Sequence, residues 1–476
     1  MVKERFQDNE MEEPMKAITI GQAAEICEGT YIGTEADLSR RITGVQTDSR
    51  ELAPGDLFVA IPGERVDGHK FVADVLAQGA AAALCQKPLE DVEGGYILVD
   101  STVEAMQKLA EFYRKWLDIP VVGITGSVGK TSTKEMIAAV LGTKYSVLKT
   151  EGNHNNGIGL PLTIFDIEPE HEVAVLEMGI SDFGEMEILA AMAKPDICVI
   201  TNIGWCHLEN LKTREGILKA KTECFTHLRE NGTVVLNGDD DMLAKVETVA
   251  GKTPLFYGTA QNRLRDTEVW ADQIENHGLE GIDFVLHTPV GEQPIHIPIP
   301  GIHNVYNALA AATVGLRMNL SPEEIRQGVS DAAAISGRTN VLHVRDMTVI
   351  DDCYNANPVS MKAALDVLSN TVGRKIAVLG DMGELGTEER ALHREVGRYA
   401  GGCPIDLLFC AGELAEEIAD GARERNEQLA VSYDREKAAM LKRLLPVLRP
   451  GDTVLVKASH FMNFSELIEK LMENKS

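Results

Sequence analysis

The sequence predicts an α/β protein of three domains: a small N-terminal α/β domain, a central P-loop domain on a parallel sheet, and a C-terminal Rossmann-like domain. Three observations predict it. Short β-branched and aliphatic runs recur along the chain, many ending in a glycine or polar cluster before a helical pattern, which is the rhythm of βα units. A length of 476 residues suits about three domains of ordinary size. The third observation is the stretch VVGITGSVGKTSTK, residues 121–134. There a strand, a glycine loop, Lys130-Thr131 and an apolar-periodic helix follow one another.

In a P-loop the backbone N–H groups of the loop and the helix N-terminus point at phosphate oxygens. The Lys130 ammonium can reach β- and γ-phosphates, and the Thr131 hydroxyl can hold Mg²⁺. The usual pattern puts glycine five residues before Gly129, where this chain has Ile124; Gly123 and Gly126 flank that position instead. Gly123, Thr125, Gly126, Ser127, Gly129, Lys130, Thr131 and Ser132 are the candidate nucleotide-binding residues here. They point to a nucleoside triphosphate and leave its use open.

Composition narrows the class. A net charge of −27 argues against a nucleic-acid coat, which needs a Lys/Arg surface. None of the eight cysteines stands in C-x-x-C spacing, so neither a zinc ribbon nor a redox pair is indicated. Scattered cysteines fit a reducing cytosol. No apolar run approaches the roughly 20 residues that span a bilayer, so a cytoplasmic protein without membrane insertion is expected. Residues 1–16 are polar and acidic, unlike a secretory signal, and are expected to form a partly disordered leader.

The chain then divides at three places. Residues 17–118 should form the N-terminal domain, with short strands at Ala17–Ile20, Tyr31-Ile32, Ile42–Asp48 and Leu57–Ile61 and a helix at Phe71–Gln78. Residues 119–335 carry the P-loop and further strands at Val173–Leu176, Ile197–Ile200 and Thr233–Leu236. Each closes on a polar or glycine cluster, and such clusters should meet the P-loop at one crevice beyond the strand ends. Residues 336–476 repeat the rhythm, with strands at Thr348–Asp351, Ile376–Leu379, Leu407–Phe409 and Thr453–Val456.

Several residues outside the P-loop carry possible chemistry. Asn153, Asn155 and Asn156 lie in a glycine-flanked loop that could grip a polar ligand or be a plain turn. Glu177 closes a strand, a common place for a Mg²⁺ carboxylate, though a surface glutamate fits too. His207 closes another, where a structural histidine is the ordinary reading. Lys221 sits on a probable helix, and spacing alone makes it solvent-facing. Asn304 and Asn307, three apart on a helix, could reach a purine edge or cap the helix. Asp48-Ser49-Arg50 reads by itself as a solvated turn.

A resemblance gathers these pieces. TDSRELAPGDLFVAIPGERVDGHKF, GITGSVGKTSTKE, GNHNNGIGLPLT, EMGISDFGEME, TNIGWCHLE, AKTE, GIHNVYNALAA, DDCYNANPVSMKAAL and LGDMGELG run in order over nearly the whole chain. Together they resemble the Mur ligases of peptidoglycan synthesis. The resemblance implies an ATP-dependent amide ligase that joins D-alanyl-D-alanine to UDP-N-acetylmuramoyl-tripeptide, acting as a monomer. It implies that Lys130 meets phosphate and that Thr131 and Glu177 serve one Mg²⁺. His207 and Lys221 would serve a second, Lys221 as a carbamate formed with CO₂. It further implies adenine contacts at Asn304 and Asn307, phosphate at Arg338 and ribose at Asp352. Substrate contacts are implied at Ser49, Arg50, Asn153, Asn155, Asn156, Asn355, Asn357, Lys457 and Ser459. One stretch departs: where the family has Lys-Gly-Ser-Arg, this chain has Lys457-Ala458-Ser459-His460, and a histidine that can be neutral near pH 7 weakens any anion contact there. A folylpolyglutamate synthase-like ligase and a non-catalytic nucleotide-binding protein on the same scaffold remain as alternatives.

Overall fold

The computed structural model describes residues 18–473 apart from residues 64, 91, 93 and 263. The expected leader at residues 1–16 lies outside the described residues. Three sheets organise the rest, and helices cover them.

The first sheet holds β1 (Thr30–Ile32), β2 (Val45–Gln46), β3 (Leu57–Val59), β4 (Ala82–Cys85) and β5 (Tyr96–Leu98). Their order is β1-β5-β4-β3-β2, parallel except for β1 against β5. Of the strand expected at Ala17–Ile20, Ala17 lies outside the described residues and Thr19 pairs with Arg41 in a single antiparallel bridge, but Ile20 is a correction: it opens the helix Ile20–Ile26. Thr19 accepts from the Gln22 backbone N–H while the Gln22 side chain accepts from Thr19 N–H. That capping box is a helix-start signal hidden among β-prone residues.

The second sheet contains β6 (Val121–Thr125), β7 (Val147–Lys149), β8 (Val173–Glu177), β9 (Ile197–Ile200), β10 (Thr233–Asn237), β11 (Leu255–Thr259), β12 (Val269–Asn276), β13 (Ile282–Thr288) and β14 (Gly291–Ile297). Its order is β14-β13-β12-β11-β10-β9-β6-β8-β7. Strands β6 to β12 pair in parallel, whereas β12-β13-β14 form an antiparallel meander. The central strand of the meander alternates buried and half-buried residues, as a sheet covered on one face must. β6 lies fully buried between β8 and β9, which places the loop after it at the crevice.

The third sheet holds β15 (Asn340–Val344), β16 (Met347–Asp351), β17 (Arg374–Gly380), β18 (Leu407–Ala411), β19 (Ala430–Asp434) and β20 (Asp452–Lys457), in the order β15-β16-β20-β17-β18-β19. Only β15 runs antiparallel to its neighbour.

The first two sheets share one apolar core. The helix Thr102–Leu117, opened by the Ser101 cap, buries Met106, Leu109 and Tyr113. Tyr113 donates to the Ile167 carbonyl at 2.6 Å and Arg114 Nε to the Ala193 carbonyl at 3.0 Å. Both bonds tie the N-terminal unit to the P-loop unit, because a buried phenol or guanidinium must find acceptors. No helix among the described residues is long and apolar enough to cross a membrane.

Candidate nucleotide-binding and ligation site

The P-loop is built by two glycines that only glycine satisfies well. Gly126 sits at φ +150 and Gly129 at φ +81, and a Cβ on Gly126 would lie 2.0 Å from Thr201 Oγ1. The segment after β9 clasps the loop from the other side. Ser127 N–H donates to the Asn202 carbonyl at 3.0 Å and Val128 N–H to Asn202 Oδ1 at 3.0 Å. Asn202 Nδ2 and Thr201 Oγ1 both donate to the Val128 carbonyl, at 2.8 and 2.6 Å. Lys130 Nζ folds over the loop onto the Gly126 carbonyl at 3.0 Å. Thr131 is buried at the first turn of the helix Lys130–Leu141. Sequence reasoning named Asn202 only as part of a strand-end cluster; its side chain in fact holds both polar groups of Val128.

Beside this helix opens a cavity of ≈ 420 Å³ whose walls include Ser132, Met136, Ile299, His303, Asn304 and Arg338. It brings the P-loop helix, the helix His303–Arg317 and the Arg338 loop together. Arg338 lies 4.1 Å from the Tyr354 ring centroid. Asn304 lines the cavity while donating to the Pro300 carbonyl at 2.9 Å. Asn307 does not line it: its Nδ2 donates to Asn304 Oδ1 at 2.9 Å and its Oδ1 accepts from Thr133 at 2.8 Å. The pair therefore acts in series, with Asn307 fixing Asn304 rather than standing beside it.

The strand ends supply the acidic and basic groups. Glu177 is buried; Oε1 accepts from Asn155 Nδ2 at 2.8 Å, its N–H donates to Thr150 Oγ1 at 3.0 Å, and Oε2 has no partner. Thr150 is in turn held through its carbonyl by the buried Lys134 ammonium. Lys221 has no exposed surface and its Nζ has no hydrogen-bond partner. Burial pulls its pKa down to about 8, with the Lys130 ammonium adding to the fall. Spacing alone made Lys221 solvent-facing, and the fold contradicts that: Ile217, Ala220 and Lys221 form the buried face of the helix Arg214–Thr222. His207 adopts φ +50 and its Nδ1 lies 2.6 Å from Glu384 Oε2, a close contact out of line for a hydrogen bond. Glu384, which sequence reasoning gave no role, is held below the usual carboxylate range first by the His207 ring and also by Lys130.

Orphaned, buried polar atoms test whether the residues fit Mg²⁺. Glu177 Oε2 and Thr125 Oγ1 are such atoms, and oxygen donors suit a hard cation. An ammonium at Lys221 does not fit, whereas a carbamate there would.

Other residues expected to contact substrate also have structural work in this fold. Lys457 is buried and gives its donors to Asp352 Oδ2 at 2.7 Å, the Asn355 carbonyl at 3.0 Å and the Asp352 carbonyl at 3.3 Å. Asp352 Oδ1 accepts from Thr339 N–H at 3.1 Å, so the pair is tied into the fold of the third unit. Ser459 accepts from Gly383 N–H at 2.9 Å and donates to the Ala356 carbonyl at 3.3 Å. Asn357 caps the helix Pro358–Ser369, and Asn156 Oδ1 accepts from Ile158 and Gly159 N–H at the start of the helix Gly159–Phe165. Asn153, Asn355 and His460 are exposed, as is Arg50, which pairs with Asp48 at the far edge of the first sheet; Ser49 beside it is half-buried.

Residues 41–114 match the family described as "Mur ligase family, catalytic domain", residues 124–315 "Mur ligase middle domain", and residues 337–460 "Mur ligase, glutamate ligase domain". The chain is 39% identical over 461 residues to the UDP-N-acetylmuramoyl-tripeptide--D-alanyl-D-alanine ligase of Bacillus subtilis (strain 168), covering 96% of this chain and 98% of that protein.

The chain belongs to the Mur ligase family.

The Escherichia coli (strain K12) enzyme of the same name is 35% identical over 97% of this chain and 99% of its own. In three dimensions the fold is similar to MurF from Acinetobacter baumannii, with a TM-score of 0.88 at 33% identity over 96% of this chain and 99% of that one. The MurF ligase of Thermotoga maritima, solved in complex with ADP, gives 0.80 at 29% identity over 91% and 98%. Within this Mur ligase chain, the P-loop helix, the helix His303–Arg317 and the Arg338 loop meet at one junction, and Lys130 acts on both Lys221 and Glu384, the neighbour of His207.

Proposed function

We propose that this chain is the ATP-dependent ligase that joins D-alanyl-D-alanine to UDP-N-acetylmuramoyl-tripeptide, releasing ADP and phosphate. The observation that carries the reading is near-full-length similarity to ligases of that name, in a chain that keeps Lys130, Glu177, His207 and Lys221.

An unactivated carboxylate is a poor electrophile. The γ-phosphoryl group of ATP passes to the tripeptide's terminal carboxylate, giving an acyl phosphate. The D-alanyl-D-alanine amine attacks the acyl carbon and loses a proton, and phosphate leaves with the electrons of the C–O bond. Such transfer between anions needs preorganised positive charge. Lys130 and the N–H groups at the start of its helix supply it from the P-loop, and Arg338 supplies it from the third unit. Asn304 lines the cavity that suits the adenine, and Asn307 fixes its carboxamide. Thr131 and Glu177 would hold one Mg²⁺ and His207 and Lys221 a second; bound there, the ions would neutralise phosphate charge.

Lys221 can act in that role only after CO₂ adds to its neutral amine and a proton is lost. The buried, partnerless Nζ with its lowered pKa supports this, because desolvation favours the neutral form. The first unit, with Ser49 and Arg50, would receive the UDP end of the sugar nucleotide.

The test is phosphate release from ATP with each acceptor in turn. Release should require the UDP-tripeptide and D-alanyl-D-alanine together. Equal turnover with a folate and glutamate, or none with the murein precursors, would sink the proposal.

A further inference from the structure

The motif LGDMGELG, residues 379–386, has no part in the chemistry above, yet its tip reaches the site. Its root is fixed to the C-terminal unit. Asp381 accepts from Ala415 N–H at 2.7 Å and Glu413 N–H at 2.9 Å. Met382 N–H donates to His393 Nε2 at 2.8 Å, and Gly383 N–H to Ser459 Oγ at 2.9 Å. Beyond this anchored root the chain leaves its own unit. Glu384 turns left-handed at φ +61, its carbonyl accepts from Leu208 N–H at 3.1 Å, and its carboxylate stands 2.6 Å from His207 Nδ1. At Gly386 a Cβ would lie 3.3 Å from Glu209 Cα, so the two backbones run in close contact. His207 too is left-handed, at φ +50. Two strained non-glycine residues from different units thus face each other, and strain of this kind persists only where surroundings over-determine it.

We infer that Glu384 is a positioning residue: it orients the His207 ring from the C-terminal unit, so that His207 is set for catalysis only when that unit is docked on the P-loop unit.

The arrangement explains why a rigid root precedes Glu384. A loop that moved on its own could place the carboxylate without the sheet behind it, and then docking and His207 geometry would be uncoupled. Here docking brings the Leu208 bond, the Gly386 contact and the carboxylate together. The inference rests on the ligase reading for its kinetic arm alone.

The experiment compares the full chain with Glu384→Gln, which keeps shape and removes charge, and Glu384→Asn, which tolerates the left-handed backbone and removes reach. The first readout is hydrogen exchange at the Leu208–Leu211 amides without substrates. Exchange should rise about tenfold or more in both variants as the local contact opens, with the melting temperature near wild type. The second is steady-state kinetics: kcat should fall about ten- to a hundredfold, as for other residues that orient a ligand side chain. The KM for ATP should stay within about threefold, since the P-loop holds the phosphates. Wild-type exchange in both variants overturns the latch, and wild-type kcat overturns the positioning role. Should one variant unfold, the other decides. A wild-type chain that releases no phosphate would fail the ligase reading instead, while the exchange data would still judge the contact.

Discussion

A lysine with no exposed surface and no hydrogen-bond partner is costly to keep as an ammonium. Lys221 is such a residue, and its pKa of about 8 has a consequence for stability. Below about 8 the amine is charged in both folded and unfolded chains, and the folded state bears the desolvation cost in full. Between there and the ordinary value of 10.5, the unfolded chain holds a proton that the folded chain does not, so stability rises with pH. Lys221→Met should therefore stabilise the protein most at about pH 7 and much less at about pH 10, read as urea midpoints in metal-free, CO₂-free buffer. A gain independent of pH would contradict the burial argument. The carbamate has its own test. Lys221→Ala should lose nearly all activity, and a short carboxylic acid in the buffer should restore part of it, whereas Lys221→Arg should stay inactive because a cation cannot ligate Mg²⁺. A fully active Lys221→Ala enzyme would remove the carbamate from the account. At this scale the sequence was a poor guide to burial: Ala220-Lys221-Thr222 has no pattern that turns a lysine inward, and only the resemblance pointed to it. The same holds for Lys457 and Asp352, which the fold buries as a bonded pair.

Elements decide how the P-loop is held. Asn202, just past the end of β9, satisfies both Val128 polar groups. Asn202→Ala would leave the Val128 N–H without a side-chain partner, while the carbonyl keeps its bond from Thr201, at a cost of about 1–3 kcal/mol for the donor left unpaired. The KM for ATP should rise about tenfold or more, with kcat less affected. An unchanged KM would show that the glycines alone set the loop. The strand-loop-helix order here was legible because apolar period, glycine and Lys-Thr fall in sequence. The meander β12-β13-β14 was not. Its strands carry His287, Asp272 and Glu292 on one face, joined by hydrogen bonds across the sheet, and such polar alternation reads as loop when its cross-strand partners are unknown. At Ile20, the end of an expected strand, the helix Ile20–Ile26 starts instead, because a capping box there outweighs β propensity.

For the molecule as a whole, three sheets were legible from recurring βα units, while the way they meet was not. A core shared by the first two sheets and a motif crossing from the third to His207 are long-range facts that no local pattern encodes. With a net charge of −27, the chain does not draw anionic substrates by its overall field, so local backbone N–H groups, Lys130 and Arg338 must do so at the junction. The central claim is that this junction phosphorylates a carboxylate before it forms an amide. The measurement that tests it most directly uses UDP-N-acetylmuramoyl-tripeptide labelled with oxygen-18 in its terminal carboxylate, turned over with ATP and D-alanyl-D-alanine, with mass analysis of the released phosphate. An acyl phosphate leaves one carboxylate oxygen on the phosphate, so labelled phosphate should appear in step with product. Product formed with unlabelled phosphate would contradict the account.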